Sequence, residues 1–141
     1  PSTWDNGQLI TFTGGYKFGN NWELGLRTRY LGKTPYAPVD QQATLDNYPA
    51  IVKDYSRLGQ VTLDPFFQVD VRIDKKFNFN QWTLDVFLDV QNVLASNLPS
   101  EPSYGLDRND NGDIIEPRTL IRIQEVSNSS VLPTLGVVID F

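Results

Sequence analysis

Cysteine, histidine and methionine are all absent from the chain's 141 residues. Without cysteine there is no disulfide framework and no thiol chemistry. Without histidine the commonest general base and the commonest zinc ligand are both missing. No apolar run in the sequence approaches the ~18 residues that a transmembrane helix needs, so a helical span is excluded. A span made of strands is not, because alternating strands average out to modest hydropathy, and the mean hydropathy here is −0.33. A basic excess is also lacking, with a net charge of −5 and an isoelectric point near 4.5. Nucleic-acid backbones select clustered Lys and Arg, so no nucleic-acid partner is expected. No signal peptide is visible and the chain opens on Pro1. That start reads as a fragment or a processed product and is no argument for the cytoplasm.

What the chain does contain is alternation. At 141 residues it is long enough for one domain with a sizeable core, and its 10 glycines and 12% aromatics suit an all-β fold. A strand turns successive side chains to opposite faces, so apolar residues at every second position mark a half-buried strand. A first strand over 8–18 sets Ile10, Phe12, Gly14, Tyr16 and Phe18 against Thr11, Thr13, Gly15 and Lys17. A second over 22–31 sets Trp22, Leu24, Leu26, Thr28 and Tyr30 against Glu23, Gly25, Arg27 and Arg29. The third, over 65–77, is the cleanest: Phe67, Val69, Val71, Ile73 and Phe77 oppose Gln68, Asp70, Arg72, Asp74 and Lys76. A fourth over 82–93 sets Trp82, Leu84, Val86, Leu88 and Val90 against Thr83, Asp85, Asp89 and Gln91, with Phe87 as the exception. In the last, 131–141, Leu135, Val137, Ile139 and Phe141 alternate with Thr134, Gly136 and Asp140, and Val138 breaks the polar register. No period holds over 32–64, which is read as a loop, nor over 94–130, apart from a further strand at 119–126.

The connections therefore run short, long, short, long. Transmembrane barrels show this because periplasmic turns are short and extracellular loops long. Strands of ~10 residues match a tilted crossing of the bilayer. Aromatics agree: Phe18, Trp22, Phe77, Trp82 and Phe141 all fall on the apolar register near the short turns, with Tyr30 and Phe67 near the other rim. Two such girdles are expected at the two lipid interfaces. Lys75, the one charge on that register, lies near the short-turn end, where its ammonium can reach the headgroups. The three-residue turn at 19–21 fixes parity, so Phe18 should pair with Trp22 and Lys17 with Glu23. Ile10, Phe12, Leu24, Leu26, Val69, Val71, Leu84, Val86, Val137 and Ile139 should be exposed to lipid, and Asp85, Arg72 and Arg27 more enclosed. Five strands do not close a barrel, and open edges in hydrocarbon leave backbone groups unsatisfied. The expectation is that the rest of the barrel lies upstream; the alternative is that 119–126 completes a small closed barrel.

Four segments together resemble the carboxy-terminal end of TonB-dependent outer-membrane receptors. Tyr30-Leu31-Gly32-Lys33-Thr34-Pro35-Tyr36, followed by Pro38-Val39-Asp40, is similar to a late strand entering a loop. The stretch from Phe67 to Phe77 resembles the family's D-x-R-x-x-K-x-F strand, and Leu84 to Leu94 its penultimate strand ending in N-[VL]-[LF]. Leu132 to Phe141 resembles the terminal strand that the barrel-assembly machinery recognises, with Leu135, Val137, Ile139 and Phe141 as its assembly signal. The resemblance implies the last strands of a 22-stranded barrel around a plug, in the bacterial outer membrane, importing a scarce ligand with inner-membrane energy. It also implies that the plug and the TonB-contacting segment lie upstream. The substrate stays open among siderophore, cofactor and glycan.

The inward register, Glu23, Arg27, Arg29, Asp70, Arg72, Asp74, Asp85 and Asp89, would face the lumen. Mixed signs suit a solvated wall held by cross-strand charge pairs better than a ligand path. Asp85 and Asp89 stand about 13 Å apart along a strand, beyond the roughly 5–9.5 Å of paired glycosidase carboxylates. No nucleophile–base pair is visible, so an enzyme is not expected. Asp107, Asn109, Asn111 and Asp113 resemble the first half of a calcium loop, with Gly112 at the turn. The twelfth position is Arg118, where a bidentate Glu belongs, and an ion-free loop tip is the simpler reading. Tyr36, Tyr48, Tyr55 and Tyr104 sit in the long loops without an assignable ligand. A soluble or surface-displayed β-sandwich binding module, with the apolar faces as its core, is the competing class.

Overall fold

The computed structural model describes Ser2, Asp5, 7–123 and 129–141. It is mostly antiparallel β, and the one α-helix among the described residues is 7 residues long. No helix there is long and apolar enough to cross a membrane. In chain order the elements are β1 (Leu9–Phe18), β2 (Trp22–Leu31), β3 (Pro35–Tyr36), α1 (Gln41–Asn47), β4 (Val61–Thr62), β5 (Phe66–Asn78), β6 (Thr83–Gln91), β7 (Ser103–Leu106), β8 (Leu120–Ile123) and β9 (Leu132–Asp140). Five of these form one sheet in the order β1-β2-β5-β6-β9, every pair antiparallel. It is a meander, and its members are the five strands that alternation predicts.

The register follows from the hairpins. Asn20 and Asn21 both sit at φ 60°, a left-handed backbone that Asn tolerates better than most residues. That turn pairs Phe18 with Trp22 and Lys17 with Glu23. Across the sheet, Arg27 meets Asp70, Arg72 meets Asp89, and Asp89 meets Thr134. Parity is kept without a break, so each face is continuous over all five strands. Boundaries shift by one or two residues: β1 starts at Leu9, β5 runs from Phe66 to Asn78, β6 ends at Gln91 and β9 spans Leu132–Asp140. Trp82 lies in the turn before β6, its ring stacked on Phe79 at 4.1 Å between centroids. The Phe79 amide closes that turn by donating to the Trp82 carbonyl at 2.9 Å.

The chain divides into two compact units, and the sheet, with 8–32, 65–98 and 128–141, is one of them. The other comprises 1–7, 33–64 and 99–127. Here the expected loops prove to be folded. The 32–64 segment contains the β3–β4 pair and α1, whose amino end is capped by the Asp40 carboxylate accepting from the Ala43 amide at 3.0 Å. Thr44 is fully buried on α1, accepting from the Val52 amide at 3.0 Å and donating to its carbonyl at 3.3 Å. Lys53 forms an ion pair with Glu101, which ties 33–64 to 99–127 within this unit. Strands of two residues are too short to show a period, which is why this segment reads as irregular.

The strand expected at 119–126 appears in part. Leu120–Ile123 forms β8, and 124–126 lie outside the described residues. Its partner is β7, in a separate two-stranded sheet. Among the described residues it therefore does not pair with the five-stranded sheet, as the small closed barrel would require. Among the described residues β1 and β9 each have one neighbour, and the sheet is open.

Candidate functional site

The two faces of the five-stranded sheet are chemically unlike. One carries Ile10, Phe12, Leu26, Leu135, Val137 and Ile139 exposed, with Leu135 at 74%. Leu24, Val69, Val71, Leu84 and Val86 on the same face, also expected to be exposed, are half-buried, on strands that have a neighbour on each side. The other face carries the charges. Of the residues expected to be enclosed there, Asp85 and Arg72 are half-buried, whereas Arg27 is exposed. The correction has a simple cause. Arg27 lies flat across an open face to reach Asp70, shielding the carboxylate rather than itself.

Asp70 is the centre of the polar face and is only 6% exposed. Its Oδ2 accepts from Arg27 Nε at 2.8 Å and pairs with the second guanidinium nitrogen at 2.7 Å. Its Oδ1 accepts from Gln68 Nε2 and from the Asn92 amide, each at 2.8 Å. A carboxylate bonded on both oxygens in this way is held in one rotamer. Asn92, at φ 54°, ends β6 and also donates through Nδ2 to the Ser96 and Ser130 carbonyls at 3.0 and 3.1 Å. It links Asp70 of β5 to the chain just after β6 and just before β9.

Arg72 forms a fork with Asp74: Nε reaches both carboxylate oxygens at 3.0 Å and the second nitrogen reaches Oδ1 at 2.7 Å. Its guanidinium also stacks on the Phe87 ring at 3.8 Å from the centroid. Phe87, the exception in the polar register, is explained by Gly136 opposite it. A Cβ built on Gly136 would overlap the Phe87 ring, so the glycine leaves the notch that the ring occupies. Lys17 approaches Glu23 at 3.8 Å, as their pairing requires, and Lys76 approaches Asp85 at 3.8 Å. Asp85 Oδ1 is buried without a hydrogen-bond partner among the described residues.

A groove of about 310 Å³ runs over this face, lined among others by Thr13, Gly25, Arg27, Asp70, Arg72 and Asp89. The structure thus gathers Arg27, Asp70, Arg72 and Asp89 into one surface. Glu23 and Asp85 lie on the same face beyond the groove, toward the short turns, and Arg29 toward the opposite end. Asp85 and Asp89 are separated on it by Phe87, with Lys76 beside the first and Arg72 opposite the second. Gln68 and Asp74, on the polar register by alternation, and Phe87, its exception, belong to the network, and so does Asn92, which no pattern marks. Their signal lies in partners 22 or more positions away for Asn92 and Phe87, which a single strand does not display.

The 107–113 segment is a tight turn. Asn109 Oδ1 accepts from the Asn111 and Asp113 amides at 3.0 and 2.9 Å, and Arg108 donates to the Gly112 carbonyl at 2.6 Å. The Asn109 oxygen expected to face a cation is therefore spent on backbone, and a guanidinium sits on the turn. Asp107 accepts on its carbonyl from the Ile115 amide at 3.1 Å. No cluster of three or more acidic side chains with metal-site geometry occurs among the described residues. Of the loop tyrosines, Tyr36 lies in β3, Tyr48 follows α1, Tyr55 opens a 3-10 turn and Tyr104 lies in β7. The terminal residues Leu135, Val137 and Ile139 share the exposed apolar face, and Phe141 follows β9 fully exposed. Comparison of the chain with protein-family models, with characterised proteins and with solved structures gave no match.

Proposed function

We propose that the five-stranded sheet is a wall segment of a transmembrane β-barrel in a bacterial outer membrane. The observation that carries this reading is the exposed apolar face, continuous across all five strands and free of charge except for Lys75. Contiguous apolar surface of that extent is not left in water by ordinary soluble monomers. Lipid is a solvent in which it costs nothing. Three further features support the same reading: the two short turns share one end of the sheet, aromatics gather there, and the opposite face is polar and internally paired. The narrower reading, supported by the sequence resemblance, is the last strands of a TonB-dependent receptor. In it the polar face lines the lumen beside a plug, and the ion-pair network stiffens the wall rather than performing chemistry.

These 141 residues contain no cysteine, so each introduced thiol is the only one the segment carries. Single-cysteine variants Leu135→Cys and Val137→Cys should react with a lipid-dissolved maleimide in intact outer membranes and not with a water-soluble one. Thr13→Cys on the polar face should show the reverse. A chain that stays in the aqueous fraction, with apolar-face cysteines protected from both reagents, would mean that a second protein layer covers them, as in a sandwich. The receptor reading is tested separately, by ligand uptake through the whole receptor in cells with and without TonB. Uptake that is indifferent to TonB removes the transporter assignment while leaving the barrel intact.

A further inference from the structure

Lys75 is the one charged residue on the apolar face of the sheet, and no ion pair reaches it among the described residues. The acids of the neighbouring strands, Glu23, Asp74 and Asp85, all lie on the opposite face. Its own face offers only neutral groups. Lys75 stands directly opposite Trp22, with its Nζ 5.1 Å from the Trp22 ring and 5.5 Å from that of Phe77. One ammonium hydrogen is donated to the Asn20 carbonyl in the three-residue turn. An ammonium has three donors, so two remain. The rings stabilise a cation electrostatically but carry no net negative charge. The site is thus built to hold a cation at the rim and lacks a counter-ion.

The geometry points to the headgroup phosphate of an anionic phospholipid as that counter-ion. The inference rests on the membrane reading above and adds a lipid partner to it. Trp22 and Phe77 flank the lysine and Phe18 pairs with Trp22 on the next strand, the three exposed by 41–46%, as interfacial aromatics are where acyl chains give way to headgroups. A phosphate oxygen meeting the two free ammonium hydrogens completes the coordination, while the lipid's glycerol and upper chains lie on the rings. Within this segment the acids of the neighbouring strands lie on the opposite face and the net charge is −5, so its other charges do not draw it to an anionic surface. Any selectivity for anionic lipid that the segment brings must therefore be local.

The test is partition of the detergent-solubilised whole barrel that contains this segment, edges paired, into vesicles of phosphatidylcholine alone or mixed with phosphatidylglycerol, at low ionic strength. The wild-type chain should favour the mixed vesicles about fivefold, the size of one basic side chain at an anionic surface. Lys75→Gln should lose that preference and Lys75→Arg keep it. Lys76→Gln removes the same charge from the opposite face and should leave the preference unchanged. Incorporation into both vesicles with a preference that survives Lys75→Gln overturns the lipid site while leaving the membrane reading intact. Displacement of the wild-type preference by millimolar inorganic phosphate overturns it too, by assigning the lysine to free anions. Failure to enter either vesicle overturns the membrane reading itself.

Discussion

The same five strands present two surfaces that spend their side chains in opposite ways. On β5, Val69, Val71 and Ile73 point to one side and make no polar contact, whereas Gln68, Asp70, Arg72 and Asp74 point to the other and bond one another. The backbone between them is shared. A strand cannot change one face without keeping the other in register, because a one-residue slip would exchange them. Each face therefore enforces the other: the charge network penalises slippage in any solvent, and the apolar face penalises it wherever that face meets lipid or a core.

The largest expected effect breaks the contrast outright. Val71→Arg places a charge at the middle of the apolar face, and in a bilayer that costs about 2–4 kcal/mol. Thr13→Arg, on the polar face, should cost little by comparison. Denaturant-dependent unfolding from phospholipid vesicles measures both. Equal costs at the two positions would mean that the faces see the same solvent, and the membrane reading would fall.

Next comes the polar network. Asp70→Ala removes an acceptor from Arg27, Gln68 and the Asn92 amide at once. A loss of about 1.5–3 kcal/mol follows for hydrogen bonds to a buried charged group. Asn92 should loosen with it, seen as faster amide exchange at Asn92 and Val93. A change confined to Arg27 would show that the strand ends are held by other means.

A smaller effect is expected at the join between the two patterns. Gly136→Ala drives a methyl into the Phe87 ring, and the ring must turn away from Arg72. Overpacking of this kind costs typically about 1 kcal/mol or somewhat more when a side chain can yield. Phe87→Leu in the same chain should recover part of it. An additive pair of substitutions would show that the ring and the notch are independent.

These residues also mark how far the sequence alone reaches. All five sheet strands and their facing are legible, because period-two alternation over nine or more residues leaves little ambiguity. Phe87 and Val138 look like errors when each strand is read by itself. Phe87 becomes orderly once Gly136 is known to lie opposite, and that pairing is a tertiary fact. Asp74, expected on the polar face, could not be known as Arg72's partner from spacing, since Asp70, Asp85 and Asp89 were equally available. The 107–113 segment is ambiguous for a different reason: Asn and Asp around a glycine serve a calcium loop and an Asx turn alike. In the folded chain Asn109 is committed to the turn. In 32–64 the elements are held by capping and by Thr44, which leave no periodic trace.

The smallest effect sharpens the comparison within the polar face itself. Lys17 and Glu23 meet at 3.8 Å beside the first turn, and the Lys17 side chain is 79% exposed. Arg27 and Asp70 meet at 2.7 Å in the middle of the sheet, with the carboxylate side chain 8% exposed. An exposed, long pair gives back in side-chain entropy most of what attraction provides, so a double-mutant cycle on Lys17 and Glu23 should return about 0.2–0.5 kcal/mol. Salt near 1 M, where the screening length falls to ~3 Å, should largely remove it. The cycle on Arg27 and Asp70 should return more and respond less to salt, because water is kept from Asp70 by the guanidinium, Gln68 and Asn92 together. Register would then be set at the centre of the sheet and only decorated at its turn. A Lys17–Glu23 coupling as large and as salt-resistant as the central one would reverse that order, and would place the dry part of the polar face at the turn end.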